Sequence, residues 1–402
     1  MWIRKRIDIS YSDLLFGMGK CIIPPNSKKT IEAINAQWRG QSTFACLSVR
    51  TGFDLLLKTL NYQEGGEVLI SALTIPDMVE IIEGHGLVAV PLAIDERTAL
   101  PSAESVKALI TDNTCAVIVT HLFGTHSPID DIARVVKSQN ILLIEDLAQA
   151  YGAASCGANA LSDVSMYSFG TIKAATALGG AILQIQDTTL RESMIRSYKA
   201  YPVQNVSDYF KKILKYSTLK ALTLSFSFGA LVKYCKLFNI DYDELLYKWS
   251  KGFSGDGFLQ NIRKKPCAPL LSVMKRRFEG NHSQRYQAQT ERGKMLHGFA
   301  SKYYSCLGDG ASNHIYWVFP IVVNKVEEVD GLIALLRKNG FDATNRQSLI
   351  AVEEAPLKSA YTASKAAQLI KSMIYLPCYD GMPMKEVKRL GLLLERASVN
   401  DF

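Results

Sequence analysis

The chain has 402 residues, of which 48% are hydrophobic and 21% charged, and its formal net charge is +8. This length supports a large core and two domains, and no stretch reaches the roughly 18 consecutive apolar residues of a membrane-spanning helix. A basic chain can bind anionic partners. However, the sequence contains no zinc finger, RNP-type signature or basic-aromatic repeat, so nucleic acid is not a predicted partner.

The eight cysteines are scattered singly. They form no CxxC pair and no metal-ligand spacing, so the sequence predicts no metal site. The cationic first ten residues lack the apolar segment of an export signal. Both observations favour a protein of the reducing cytoplasm, with thiols serving mostly as small core residues.

The first 40 residues are predicted to form an N-terminal arm that packs on the second domain, with one helix near Lys28–Trp38. Residues 44–62 follow as a strand or turn leading into an amphipathic helix. Arg50, Thr51 and Gly52 lie at the start of this helix, where unpaired N–H groups and the helix dipole favour an anion. Two interpretations stay open here, an ordinary N-capped helix and a cradle for a phosphate group.

Residues 67–92 are predicted as strand, loop, helix and strand, and Cys115–Gly124 as a buried strand ending in His121. His121 is either a ligand contact at the sheet edge or a hydrogen-bonded structural histidine. The alternation of strands and helices from residue 44 to residue 185 predicts an α/β fold with a mostly parallel sheet.

Two predicted buried strands, Ile141–Ile144 and Asp163–Phe169, are followed by Asp146 and Lys173. The carboxyl ends of such strands meet at one sheet edge, where α/β folds bind ligands. No acidic residue lies within nine positions of Lys173. A partly buried lysine without a counter-ion loses proton affinity and can form Schiff bases with carbonyls, including pyridoxal phosphate (PLP). A carboxylate such as Asp146 would pair with the PLP pyridinium nitrogen. The alternative is a surface lysine and a helix-capping aspartate.

The segments EDLAQAYGA and SDVSMYSFGTIK, followed by a Gly-Gly strand, resemble the DegT/DnrJ/EryC1/StrS aminotransferases. The resemblance covers most of residues 40–200 and, more weakly, 260–395. It implies a fold-type I PLP enzyme with a seven-stranded type of sheet, helices on both faces and a small α+β C-terminal domain. It also implies a homodimer that acts on nucleotide-linked keto-sugars.

The resemblance assigns roles to single positions. By resemblance, Lys173 is the lysine that forms the Schiff base and Asp146 is the partner of the pyridine nitrogen. Gln149 is expected to contact the cofactor ring and its oxygen. The resemblance also makes Ser168 a phosphate ligand and places Ile75 where a residue covers the ring face. Beside this motif, the helix start with Arg50, Thr51 and Gly52 is predicted to bind the phosphate. His121, at its strand end, is predicted to contact the ring edge or the substrate. The cradle departs from the usual S-G-T of the family, and Ile75 stands where an aromatic residue is common.

The C-terminal part is predicted as a strand at 313–323, a helix at Val326–Asn339 and a short strand at Ile374–Leu376. The predicted domains are the arm (1–40), the large PLP-binding domain (41–200), a basic amphipathic helical insertion (201–255) and the small domain (256–402).

The insertion departs from the family pattern. Between Tyr209 and Ile240 it contains six lysines and no acidic residue, interleaved with aromatic residues and leucines. This pattern suits peripheral contact with an anionic membrane through 209–240, or a helical insert that covers its own protein or the dimer partner. The insertion also displaces the region that in the family usually contacts the neighbouring subunit's cofactor.

The predicted function is an aminotransferase that moves an amino group from an amino acid, glutamate by resemblance, to a keto group of a nucleotide-linked sugar. The alternatives are an aminotransferase for lipid-linked or amphiphilic ketones at a membrane, a pyridoxamine phosphate-dependent sugar dehydratase, and a non-catalytic scaffold. Lys173 argues against the dehydratase, because such family members often replace the lysine.

Overall fold

The computed structural model describes residues 1–38, 43–153, 157–250, 257–352 and 361–399. The predicted domain boundaries at 40/41 and 255/256 lie outside the described residues. The helices are α1 (Tyr11–Ile22), α2 (Ser27–Gln37), α3 (Val49–Leu60), α4 (Pro76–Gly84), α5 (Ala103–Leu109), α6 (Asp130–Ser138), α7 (Thr188–Tyr198), α8 (Val206–Leu222), α9 (Ser225–Leu237), α10 (Tyr242–Ser250), α11 (Phe258–Ile262), α12 (Ala268–Glu279), α13 (Ser283–Ala300), α14 (Glu328–Lys338), α15 (Tyr361–Ser372) and α16 (Met384–Val399). The strands are β1 (Thr43–Cys46), β2 (Glu67–Ser71), β3 (Leu73–Thr74), β4 (Val88–Leu92), β5 (Thr114–Thr120), β6 (Thr125–His126), β7 (Leu142–Asp146), β8 (Val164–Ser168), β9 (Ala181–Ile185), β10 (Ser305–Cys306), β11 (Asn313–His314), β12 (Phe319–Val322), β13 (Ile350–Ala351) and β14 (Met373–Leu376).

The central sheet has seven strands in the order β1-β9-β8-β7-β5-β2-β4. All neighbours from β8 to β4 are parallel, and only β9 runs against the others, pairing antiparallel with both β1 and β8. The predicted mostly parallel α/β sheet is therefore confirmed. Because β5, β7 and β8 run the same way, His121, Asp146 and Ser168 all lie at the carboxyl edge of the sheet.

Helices cover both faces of this sheet because its central strands are apolar on both sides. On one face, Phe53 of α3, Ile81 of α4 and Met194 of α7 pack into one buried cluster with the strands. On the other face, Val106 of α5 and Ile132 of α6 pack against a second cluster.

The C-terminal part contains an antiparallel sheet in the order β10-β12-β14. Side chains of α13, α14 and α16 pack with it in a separate buried cluster. The prediction of a single strand at 313–323 is wrong, because this segment divides into β11 and β12. Tyr316 adopts a left-handed backbone conformation between them (φ 50°), and β11 pairs with β6 of the large domain instead of continuing into β12.

Residues 206–250 of the predicted insertion fold into α8, α9 and α10. Tyr209, Ile213 and Tyr216 of α8 are buried against α1 and α12. Within the described residues, no helix combines the length and the apolarity needed to cross a bilayer.

The N-terminal arm is fixed by a buried ionic network. The Arg4 guanidinium donates to both carboxylate oxygens of Asp342 (2.9 and 2.7 Å) and to Asp243 (2.7 Å). Arg337 donates to the second oxygen of Asp243 at 2.6 Å. Burial lowers the pKa of Arg4, but these carboxylates more than offset it and hold the pKa above the usual arginine value.

We expect Asp342→Ala to destabilise the protein by about 3 kcal/mol, since it leaves a mostly buried guanidinium with one partner fewer. The free energy of unfolding in urea measures this. The matched control is Asp131→Ala, which removes an exposed ion pair with Arg134 and should change stability by less than about 0.5 kcal/mol. Equal effects of the two substitutions would contradict a structural role for the network.

Candidate active site

The start of α3 is held by side-chain contacts. Ser48 is the N-cap residue and accepts a hydrogen bond from the Thr51 N–H at 3.1 Å. The Thr51 hydroxyl donates to the Ile262 carbonyl at 2.7 Å, so it is engaged within the protein. A Cβ on Gly52 would lie 2.5 Å from the Leu183 side chain, so close packing of α3 on β9 requires glycine. The predicted phosphate cradle therefore depends on the remaining N–H groups of the first helical turn and on Arg50.

Lys173 lies in the tight loop that follows β8, where its N–H donates to the Gly170 carbonyl at 3.1 Å. Its ammonium nitrogen is 4.6 Å from the centre of the Trp317 ring. Trp317 is held in place because its indole N–H donates to the Ile172 carbonyl at 3.0 Å. Burial lowers the pKa of Lys173 to about 8, with Asp146 opposing this shift and Arg50 adding to it.

Asp146 ends β7 and is buried, with its Oδ1 accepting from the Ala148 N–H at 2.9 Å. Burial raises the pKa of Asp146, and the positive charges of Lys173 and Arg50 limit the rise. The structure thus brings the predicted lysine and carboxylate into electrostatic contact without a direct ion pair.

Arg50 connects the helix start to the neighbouring loop. Its guanidinium forms an ion pair with Asp77 in the first turn of α4. Ile75 is the N-cap residue of the same helix, so it lies two residues from this ion pair. Arg50 and Ile75 therefore belong to one rim of the site, and coverage of the cofactor ring by Ile75 stays a prediction.

Three further predicted residues lie at the carboxyl edge of the sheet. The Gln149 side-chain oxygen Oε1 accepts from the Phe123 N–H at 2.9 Å, and the Ser168 hydroxyl accepts from the Gly170 N–H at 3.4 Å. His121 donates through Nε2 to Glu145 at 3.0 Å, whereas its buried Nδ1 has no partner among the described residues. His121 therefore has a structural bond, and its second nitrogen keeps the ligand interpretation open.

The Glu145 carboxylate, next to Asp146 in sequence, is surrounded by donors. Its Oε2 accepts from the Asn159 N–H (2.7 Å) and the Ser162 hydroxyl (2.9 Å). Burial raises the pKa of Glu145, but the bond from His121 and these donors leave it below its usual value. Ligand atoms of His121, His126 and Glu145 lie within 4.8 Å of one another, a spacing that could hold a metal ion. Hydrogen bonds already occupy both oxygens of Glu145. We therefore interpret His121, His126 and Glu145 as a hydrogen-bonded cluster that stabilises the end of β7.

The N-terminal arm contributes residues that the sequence did not indicate. The Lys5 ammonium donates to the Trp317 carbonyl and lies 4.9 Å from the Trp317 ring centre. Burial lowers the pKa of Lys5 to about 7. Asp8 accepts from the Ala175 N–H in the Lys173 loop at 2.9 Å and from Arg277 at 2.8 Å. No local pattern in the first ten residues could have revealed these contacts.

A cavity of about 600 Å³ lies between this arm, the Lys173 loop and the helices α12 and α13. Ala174 and Trp317 line it on the side of Lys173. Its charged lining residues include both signs, with cations in excess: Lys5, Arg6, Lys220, Arg276, Arg277 and Arg285 against Asp8, Asp13, Glu279 and Asp380.

The residues present fit PLP. Lys173 has a depressed pKa and no ion pair with any described residue, Asp146 is a buried carboxylate that acts on it, and the start of α3 offers an anion site next to Arg50. Each group has the chemistry that one part of the cofactor requires.

The electrostatics of Lys173 predict opposite effects of its two charged neighbours. We expect the rate of modification of Lys173 by pyridoxal to be half-maximal near pH 8, since only the neutral amine reacts. Asp146→Asn should move this midpoint to lower pH, because the carboxylate raises the pKa of Lys173. Arg50→Gln should move it to higher pH, because the guanidinium lowers that pKa. Borohydride trapping followed by mass spectrometry measures the rate, and shifts in the same direction would contradict this assignment.

The chain is similar in sequence to known sugar-nucleotide enzymes over part of its length. The chain is 28% identical over 165 residues to GDP-perosamine synthase of Escherichia coli O157:H7, covering 40% of this chain and 45% of that protein. It is 32% identical over 152 residues to GDP-perosamine synthase of Caulobacter vibrioides, covering 37% and 41%. The aligned segments thus span less than half the length of these relatives.

The fold has close counterparts among solved structures. An aminotransferase TlmJ from Streptoalloteichus hindustanus superposes with a TM-score of 0.71 at 16% identity, over 99% of this chain and 98% of that one. Residues 25–394 match the sequence profile of the DegT/DnrJ/EryC1/StrS aminotransferase family. This match confirms the predicted family and, with it, PLP as the cofactor. The chain therefore belongs to the DegT/DnrJ/EryC1/StrS aminotransferase family.

Proposed function

We propose that this protein is an aminotransferase that transfers an amino group from an amino acid to a keto group of a sugar. The observation that carries the proposal is the position of Lys173 and Asp146 at one carboxyl edge of the sheet, where each charge influences the pKa of the other. A lysine whose pKa is lowered to about 8 is available as a nucleophile and as a proton carrier near neutral pH.

The bound PLP would supply a reactive carbonyl and an electron sink. Lys173 would hold the cofactor covalently through Nζ, and after the donor has displaced it, the same nitrogen would carry a proton to and from the donor's Cα. Asp146 would keep the pyridine nitrogen protonated. Trp317 packs against Lys173 and restricts the orientation of its side chain.

The cavity supports an anionic substrate. Arg6 and Lys220 line it, and neither forms an ion pair among the described residues. A phosphate or diphosphate on the substrate would supply the missing negative charge. Two of the similar proteins are GDP-perosamine synthases, so we propose a nucleotide-linked keto-sugar as acceptor. Glutamate is the proposed donor, and a homodimer the proposed assembly, both from the family resemblance.

Two competing functions have less support. A sugar dehydratase of this family would not need Lys173, which is present and has a depressed pKa. A non-catalytic scaffold would not need the buried Lys173 amine and Asp146 carboxylate, and burying such charged groups costs stability.

The central test uses the PLP-loaded protein and glutamate. We expect glutamate to bleach the visible absorbance of the bound cofactor and a keto-sugar nucleotide to restore it. Lys173→Ala should slow the glutamate step by at least about 1,000-fold, because it removes both the covalent anchor and the proton carrier. Lys211→Ala, which alters an exposed lysine, is the control. Unchanged turnover in Lys173→Ala would refute the proposed role.

A second proposal concerns the tip of α9, which we define by its exposed apolar residues and lysines: Lys233, Tyr234, Lys236, Leu237, Phe238 and Ile240. The Leu237 side chain is 76% exposed and that of Phe238 57%. No acidic residue occurs between Tyr209 and Ile240. Exposed apolar side chains among lysines suit peripheral binding to anionic lipid. We propose that the tip of α9 makes this contact, which would hold the enzyme at the surface of an anionic membrane.

Sedimentation with vesicles tests this contact. We expect binding to vesicles that contain phosphatidylserine, little binding to neutral vesicles, and loss of most binding in the double variant Leu237→Ser, Phe238→Ser. Leu161→Ser, at an exposed leucine of the large domain, is the control. If the double variant instead lowers the molecular mass in solution without affecting sedimentation, the tip is a subunit interface.

A further inference from the structure

One face of α8 covers the loop that carries Lys173. Tyr209, Lys212 and Tyr216 share this face, because their spacing of three and four residues matches the helical repeat. The Tyr209 hydroxyl donates to the Ala177 carbonyl at 2.8 Å, and the Tyr216 hydroxyl lies beside the side chain of Thr171. Between them, the Lys212 nitrogen lies 3.9 Å from the position that a Cβ on Gly179 would occupy.

Lys212 lacks a negative partner. The described part of the chain gives its ammonium no ion pair and no hydrogen bond, and the charged groups that act on it, Lys215 and Arg50, are both positive. Burial, then these two cations, lower the pKa of Lys212 to about 8. Arg50 already has a counter-ion in Asp77, whereas the partly buried Lys212 ammonium has none among the described residues, so Lys212 is the group that an added anion would neutralise.

The backbone locates that place at the start of α3. The Gly180 N–H donates to the Leu47 carbonyl at 2.8 Å, so the glycine pair beside Lys212 lies against the residue that precedes the N-cap Ser48. Arg50 lies in the first turn of α3 and influences both Lys212 and Lys173. The helix N-terminus, Arg50 and Lys212 therefore surround one position near the reactive lysine.

We propose that Lys212 binds the phosphate group of PLP from within the same chain. This inference rests on the proposed function, because it assigns a cofactor ligand to that site. It also gives α8, which belongs to the segment that departs from the family pattern, a role at the cofactor. Lys212 is thus a cofactor-binding residue that the family pattern does not predict.

The test compares PLP with pyridoxal, which lacks the phosphate, in binding to the full-length protein freed of cofactor. We expect Lys212→Met to weaken PLP binding by about tenfold or more, the loss of one charge-assisted hydrogen bond, and to leave pyridoxal binding within about twofold. Lys212→Arg keeps the charge and should restore PLP affinity to within about threefold of wild type. Lys211→Met, at the exposed neighbour on α8, is the matched control.

A second measurement uses the wild-type protein and does not depend on a variant that folds. Amine acetylation read by mass spectrometry should show that inorganic phosphate protects Lys212 but not Lys211. Equal PLP affinity in Lys212→Met, a parallel loss of pyridoxal affinity, or no protection by phosphate overturns the inference while leaving the aminotransferase proposal standing. Failure of the wild-type protein to bind either aldehyde overturns both.

Discussion

The electrostatic cost of burying the Lys173 amine is the constraint to which the surrounding structure responds. A buried ammonium needs either a contact carboxylate or a lower pKa, and this site uses the second solution. Asp146 is near enough to limit the shift but makes no direct ion pair, while Arg50 increases it. Asp146 ends β7 and Lys173 follows the neighbouring parallel strand β8, so both groups act at the same edge of the sheet.

The central sheet supplies this geometry in a simple way. Parallel β7 and β8 place residue 146 and the loop after residue 168 on the same edge, and antiparallel β9 returns the chain at once through Gly179 and Gly180. The returning strand brings the start of α3 and the loop of Lys173 together. α8 then packs over this junction. The insertion, which departs most from the family pattern, therefore lies against the Lys173 loop, which follows that pattern closely.

The strand and helix pattern of residues 44–185 was predictable because each element is encoded locally by apolar periodicity and glycine-rich ends. The position of Asp146 and Lys173 at one sheet edge was predictable for the same reason, since Asp146 ends β7 and Lys173 follows the neighbouring strand β8. Trp317 and Lys5 were not predictable, because 312 residues separate the two partners and neither lies in a local pattern. The division of segment 313–323 depends on pairing between β11 and β6, a tertiary contact that strand propensity does not report.

The contacts of the N-terminal arm also bear on how the chain folds during synthesis. Arg4 pairs with Asp342, 338 positions later, and Asp8 contacts Arg277, Arg285 and the loop of Lys173. The N-terminal arm is therefore synthesised long before the residues that it contacts. The large sheet can form from nearby segments, but the cavity can close only after most of the polypeptide has emerged. The nascent enzyme would thus acquire its scaffold early and its substrate pocket at the end of translation.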